Sequence, residues 1–177
     1  RFSRTLIEQI DSLSAIATAF SDFAKMPKSE LQRIDLVACI HTAITTFSGS
    51  ATPIVFSDAH ENGVFVLADN KQMIRVMVNL LTNSVQAIDG DPKGRIEVSV
   101  RADAGWVRVC VTDNGPGIPE VQKSRIFVRN FSTKSEGMGL GLAMVKNIIE
   151  GHGGHIWFVS RESEGAMFCF ELPQAPE

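Results

Sequence analysis

The chain has 177 residues, long enough for one medium domain and an appendage. Hydrophobic residues make up 44% and charged residues 21%, an ordinary globular balance, and a net charge of −3 excludes a broad basic surface for nucleic acid. No apolar run reaches the length of a membrane span and no signal peptide is visible, so a cytoplasmic location with no membrane contact from these residues is expected.

Residues 1–26 open on a helical pattern. Leu6, Ile10, Leu13, Ala17, Phe20 and Ala24 are spaced 4-3-4-3-4, the seam of a bundle or coiled coil, and Pro27 ends it. The periodicity leaves open whether the partner is another helix or the chain's own domain. Because the chain begins inside this pattern, it is expected to be a piece of a longer protein. Residues 27–33 read as a linker, 34–173 as the main domain and 174–177 as a tail.

Within the main domain a strand over 33–36 leads into a helix over 37–47, and short strands follow at 54–56 and 64–67. Asp69 then reads as an N-cap with Gln72 as its capping-box partner, opening a helix to Ile88. A turn over 89–94 closes it. Strands are expected over 96–100 and 106–112, joined by Asp103-Ala104-Gly105, followed by an irregular stretch over 113–135. A helix over 139–150 stops at Gly151-His152-Gly153-Gly154, and strands over 156–160 and 167–172 finish the domain. The order implies an α+β fold, a mixed sheet with one face covered by three helices. Cys39, Cys110 and Cys169 are far apart in apolar stretches and read as reduced core thiols.

Three segments carry chemistry. On the helix before Ile88, an apolar stripe (Ile74, Val78, Leu81, Val85, Ile88) leaves Arg75, Asn79, Asn83 and Gln86 on another face. Amide oxygens at positions 79 and 83 are neutral hard ligands suited to Mg²⁺, although a solvated polar stripe has the same pattern. Asp113-Asn114-Gly115-Pro116-Gly117-Ile118 follows an apolar strand. A carboxylate there can accept from an exocyclic amine such as that of adenine, while a plain Asn-Gly turn has the same composition. Gly137-Met138-Gly139-Leu140-Gly141-Leu142 opens a helix whose N–H groups and dipole suit an anion. Its spacing is neither the dinucleotide fingerprint nor a P-loop. Lys134, after Ser132 and Thr133, is placed to meet a terminal phosphate, or to be an ordinary loop lysine.

The order of these motifs resembles the GHKL ATPase superfamily. Within it, Val78-Asn79-Leu80-Leu81-Thr82-Asn83-Ser84 is similar to the N box of sensor histidine kinases and Asp113–Gly117 to their G1 box. Phe127 and Phe131 resemble the F box, and residues 137–142 the G2 box. The C-terminal run from Gly151 to Pro173 also resembles these kinases, and the short stretch Phe131-Ser132-Thr133-Lys134 resembles the nitrogen-regulation type. The N-terminal helix is similar to the second helix of their dimerisation and histidine-phosphotransfer hairpin.

The resemblance implies the two-layer α/β sandwich of the Bergerat fold and an ATP-dependent protein histidine kinase in two-component signalling. Its cofactors would be ATP and Mg²⁺. Asn83, with Asn79, would bind the metal, and Asn83 and Lys134 would be catalytic. Gln86, Asp113, Gly115, Gly117, Ile118, Phe127, Thr133, Gly137, Gly139, Leu140, Gly141 and Leu142 would complete the nucleotide site, under a lid over 119–136. The implied partners are the acceptor-histidine helix of the same kinase, a response-regulator receiver domain and a second copy in a homodimer. The acceptor would lie outside these residues, because His41, His60, His152 and His155 lack the family's context: His152 and His155 read as turn and strand-edge residues, His41 as helix surface. Three positions depart from the family pattern: Gln86 stands for a common Lys, Ala87 for an aromatic and Ala166 for a Thr. They support an alternative, a nucleotide-sensing regulatory module without kinase activity.

Overall fold

The computed structural model describes residues 29–58, 63–88, 90–128 and 140–176. The expected N-terminal helix, His60, Phe131, Thr133, Lys134, Gly137 and Gly139 lie outside them. The described elements are β1 (Gln32–Asp35), α1 (Leu36–Thr45), β2 (Ile54–Asp58), β3 (Phe65–Ala68), α2 (Asn70–Ala87), β4 (Ile96–Asp103), β5 (Trp106–Asp113), α3 (Glu120–Lys123), α4 (Gly141–Gly151), β6 (His155–Ser160) and β7 (Ala166–Pro173).

Five strands form one sheet in the order β2-β4-β5-β7-β6, with β2 parallel to β4 and the other pairs antiparallel. β1 and β3 make a separate antiparallel pair. Strict alternation fixes the faces. Ile96, Val98, Val100, Val107, Val109, Val111, Phe168, Phe170 and Leu172 point into the core, where α2 and α4 cover them and α1 packs against α2. The opposite face carries Trp106, Arg108, Trp157 and Val159 and is not covered by the described helices. This is the expected α+β fold, a two-layer α/β sandwich.

The strands run longer than the alternation predicts. β4 and β5 extend to a two-residue hairpin at Ala104 and Gly105, whose φ values of 50° and 80° give the twist a tight hairpin needs. The stretch expected to be irregular contains the single turn α3, with Pro119 at its N-cap.

On α2 the expected apolar stripe is displaced. Met73, Val76, Met77, Leu80, Leu81 and Ser84 are buried, whereas Ile74, Val78 and Val85 are only partly buried. At about 100° per residue the buried centre lies roughly a quarter turn from the predicted one. The helix packs against α1 and α4 as well as the sheet, so its apolar arc is wide and its middle is not obvious from periodicity. Asn83 consequently stands at the margin of the buried arc.

The capping box forms by half. Asp69 Oδ1 accepts from the N–H of Lys71 and of Gln72. The reciprocal bond is absent, because the N–H of Asp69 donates to Nε2 of His152, 3.1 Å away. His152 is the buried C-cap of α4, and its Nδ1, 2.7 Å from Ile148 O, is the ring donor. More than a turn residue, it ties the end of α4 to the start of α2. Burial raises the affinity of the Asp69 carboxyl for a proton. The N–H groups of Glu30, Gln72 and Lys71, with His152, outweigh that and hold it below its ordinary range.

The expectation of three reduced thiols fails for two of them. Cys110 and Cys169 lie opposite each other in the β5–β7 register, with Cα atoms 4.1 Å apart, and form a disulfide. Their separation of 59 residues hides a contact that only strand register creates. Cys39 stays a buried thiol, donating to Asn70 Oδ1, and burial with the Asp35 charge pushes it up to about 11.

Candidate functional site

Asp113 is the last residue of β5. The inward alternation Val107, Val109, Val111 carries it to the core face, where it is only 5% exposed. A buried carboxylate is costly unless it is hydrogen-bonded. Its Oδ1 accepts from the N–H of Gly115 at 3.0 Å and of Ala166 at 3.3 Å, and its Oδ2 from Ser84 Oγ at 3.3 Å. Helix α2, the loop after β5 and the first residue of β7 thus hold one acid in a fixed orientation. Ala166, where the family pattern has a Thr, contributes a backbone donor rather than a hydroxyl.

The loop after β5 locks onto the β6–β7 turn. The N–H of Ser163 donates to Pro116 O at 2.7 Å, and that of Ile118 to Ser160 Oγ at 2.9 Å. Gly117 has φ +72°, and a Cβ there would lie 2.0 Å from Arg161 O, so glycine is required by this close approach alone. Ile118 is half-buried against the core.

The other motif residues lie along α2 and at the start of α4. Asn79 Nδ2 donates to Arg75 O at 2.8 Å, and a Cβ on Gly141 would lie 2.8 Å from Asn79 Oδ1. The N-terminus of α4 therefore abuts α2 at Asn79. Leu140 caps α4 without a side-chain bond, and both Leu140 and Leu142 are half-buried. Asn83 Nδ2 is buried and has no hydrogen-bond partner among the described residues. Gln86 is exposed on the same helix. Ser84, which holds Asp113, and Asn79, which meets Gly141, are five residues or about 7.5 Å apart along the axis. The acid, the two amides and the glycine helix start are thereby gathered on one stretch of α2. Phe127 packs with Phe158 and Phe168, ring centres 5.9 and 6.5 Å away, and Lys146 Nζ on α4 lies 5.9 Å from its ring centre.

The sequence reading missed Ser84 and His152. Ser84 stands beside a motif asparagine, but the displaced stripe placed it off the core. His152 carried no signal beyond its glycine-rich turn.

A helix-backed mixed sheet with this motif order defines a class of ATP-binding domains. Residues 68–176 match the family of histidine kinase-, DNA gyrase B-, and HSP90-like ATPases. Sensor histidine kinase ZraS of Escherichia coli strain K12 is 32% identical over 98% of this chain and 37% of its own length. The catalytic domain of histidine kinase ThkA is 34% identical, with a TM-score of 0.74 over 82% of this chain and 96% of that one. ThkA in complex with response regulator protein TrrA gives 30% identity and a TM-score of 0.78, over 94% of this chain and 49% of that one. Full-length ShkA in complex with AMPPNP gives 25% and 0.83, over 99% and 39%. The chain belongs to this ATPase family, as a histidine kinase ATP-binding catalytic domain. It spans little more than a third of the length of ZraS.

Proposed function

We propose that the chain binds ATP with Mg²⁺ and transfers the γ-phosphoryl group to a histidine outside these 177 residues, for relay to a response regulator. The observation that carries this reading is the buried amide nitrogen of Asn83, which has no hydrogen-bond partner among the described residues, on the stretch of α2 between Asn79, which meets the Gly141 helix start, and Ser84, which holds the Asp113 carboxylate. An unsatisfied buried polar group costs folding free energy, and a polar ligand that meets it recovers that cost. The set suits a magnesium-bound nucleotide: amide oxygens for a hard cation, an oriented acid for an amine, and the Asn83 amide N–H with the helix N–H groups for phosphate oxygens.

In this reading Asp113 accepts from the adenine amine, in an orientation set by Ser84, Gly115 and Ala166. Gly115, Gly117 and Ile118 line the base, and Phe127 anchors the root of a lid over 119–136. Asn79 and Asn83 hold the metal and phosphates, with Gln86 at their margin. Thr133, Lys134, Gly137, Gly139, Leu140, Gly141 and Leu142 complete the phosphate side. Mg²⁺, when bound, supplies positive charge against the phosphate oxygens. The protein's part is positioning and the exclusion of water, which is most of what phosphoryl transfer needs. The ShkA complex with AMPPNP supports the nucleotide, and the ThkA complex with TrrA supports the relay partner. Residues 1–26 would be one helix of the dimerisation hairpin in a homodimer, and the location cytoplasmic.

Titration with a fluorescent ATP analogue, with and without Mg²⁺, tests the binding. Labelled ATP with an added acceptor-histidine hairpin tests the transfer. Label on the hairpin is expected; stable label on this chain alone, or no Mg²⁺-dependent binding, refutes the proposal. The exposed Gln86 and the backbone donor at Ala166 favour the nucleotide-sensing module as second reading. Asn83→Ala separates the two: lost transfer with retained nucleotide binding fits the kinase, and unchanged signalling fits the module.

A further inference from the structure

We infer that the Cys110–Cys169 disulfide is a redox modification site, opened by a dithiol reductant, and that its state sets how firmly the chain holds nucleotide. The coupling rests on the ATP reading above; the modification site itself does not.

Position on the ladder supplies the coupling. From Cys110↔Cys169 the register runs through Val111↔Phe168 and Thr112↔Met167 to Asp113↔Ala166. The disulfide therefore clamps the same two strands that meet at the site's acid, three residues further on. Across that last pair the N–H of Ala166 donates to Asp113 Oδ1 at 3.3 Å, a long bond that depends on how closely β5 and β7 are held.

Position on the sheet supplies the access. The two cysteines alternate with core residues and so face away from the helical layer, in a row with Ser99 on β4 and Trp157 on β6. Cys110 is half-buried, whereas Cys169 is 2% exposed, so Cys110 is the more open of the two to an incoming thiolate. Arg108 lies on the same face, its guanidinium 5.1 Å from the Trp157 ring centre and 3.1 Å from Glu171, with Arg101 opposite it.

A thiolate of the reductant attacks Cys110 Sγ and forms a new S–S bond to it. The Cys110–Cys169 bond breaks, and its electron pair leaves on Cys169 Sγ, which takes up a proton. The second thiol of the reductant gives up its proton and attacks the reductant's own sulfur in the mixed disulfide. Cys110 leaves as a thiolate and takes up that proton. Two electrons and two protons pass from the dithiol to the chain, and the oxidised form of the same class of dithiol reverses the exchange.

The test uses the whole chain with dithiothreitol as the dithiol, under native conditions. Iodoacetamide followed by mass spectrometry should modify neither cysteine before reduction and Cys110 after it, with the freed Cys169 thiol labelled by a second alkylating agent once the chain is unfolded in denaturant. Cys39, buried and held as the thiol, should stay unmodified by iodoacetamide. Affinity for a fluorescent ATP analogue should fall about fivefold on reduction, at the lower end of typical site-to-site coupling. A Cys110→Ser/Cys169→Ser variant should bind like the reduced chain and ignore dithiothreitol; if it fails to fold, the reduced wild-type chain carries the comparison. Alkylation before reduction, a disulfide that resists dithiothreitol, or equal affinity in both states overturns the inference. If no analogue binds in either state, the ATP reading has failed, and amide exchange at Gly115 and Ala166 decides the coupling: faster exchange on reduction supports it and unchanged exchange overturns it.

Discussion

Two neighbouring polar residues of α2, Asn83 and Ser84, make opposite contributions to stability and to the site. Ser84 Oγ donates to a buried carboxylate, a bond to a charged group worth about 1.5–3 kcal/mol. Ser84→Ala should lower the unfolding free energy by that order, read as a drop in the urea midpoint, and weaken nucleotide binding, because Asp113 loses its tie to the helix. Asn83 has a buried donor that no described group satisfies, so its removal deletes a cost along with a contact. Asn83→Ala should change stability by less than about 1 kcal/mol while abolishing phosphoryl transfer. Urea unfolding beside a transfer assay checks both. A large stability loss in Asn83→Ala with transfer intact would assign the amide to the fold. Asp113 and both asparagines were legible as candidates because their order along the chain is a motif. Ser84 was not, because the arc of α2 that faces the core is decided by three packing partners that periodicity alone cannot locate.

At the scale of elements, the helical layer is held together at its ends as well as through its core. His152 joins the C-cap of α4 to the N-cap of α2 with one bond to each. Its replacement by Ala strands the N–H of Asp69 and removes a cap, which should cost about 1–3 kcal/mol in thermal or urea unfolding. Asp69 adds an acid dependence. Its folded carboxyl titrates below the ordinary value of 3.8, so its stabilising contribution is complete above that value. The contribution falls away as the pH drops through the lower, folded value. Unfolding midpoints measured from pH 5 downward should decline, and Asp69→Asn, which retains an N-cap oxygen, should flatten the decline. An equal decline in the variant would place the acid sensitivity elsewhere. Strand identities and the Asp69 cap followed from alternation and capping chemistry. The His152 tie and the Cys110–Cys169 bridge did not, since each joins residues that meet only after the sheet and helices are assembled.

At the scale of the whole molecule, the proposed site draws on parts remote in sequence: α2, the end of β5, the start of β7 and the N-terminus of α4. A ligand that touches all of them binds only the assembled fold, so its binding free energy appears as folding stability. At one hundred times its dissociation constant a ligand contributes about 2.7 kcal/mol. For a chain of this size that raises the thermal midpoint by roughly 5–10 °C. Saturating ATP analogue with Mg²⁺ should produce such a shift. Asp113→Ala should abolish it by removing the acceptor for the amine, and Gly141→Val should abolish it by displacing the Asn79 side chain, whose Oδ1 even a Cβ would meet at 2.8 Å. Phe170→Ala is the control. It should lower the unliganded midpoint by far more, since truncating a fully buried Phe costs about 3–5 kcal/mol, yet keep the ligand-induced shift. Loss of the shift in Asp113→Ala and Gly141→Val with its retention in Phe170→Ala separates damage to the site from damage to the fold. A full shift in Asp113→Ala would mean that nucleotide binds without the acid, and the proposed arrangement of the site would fall.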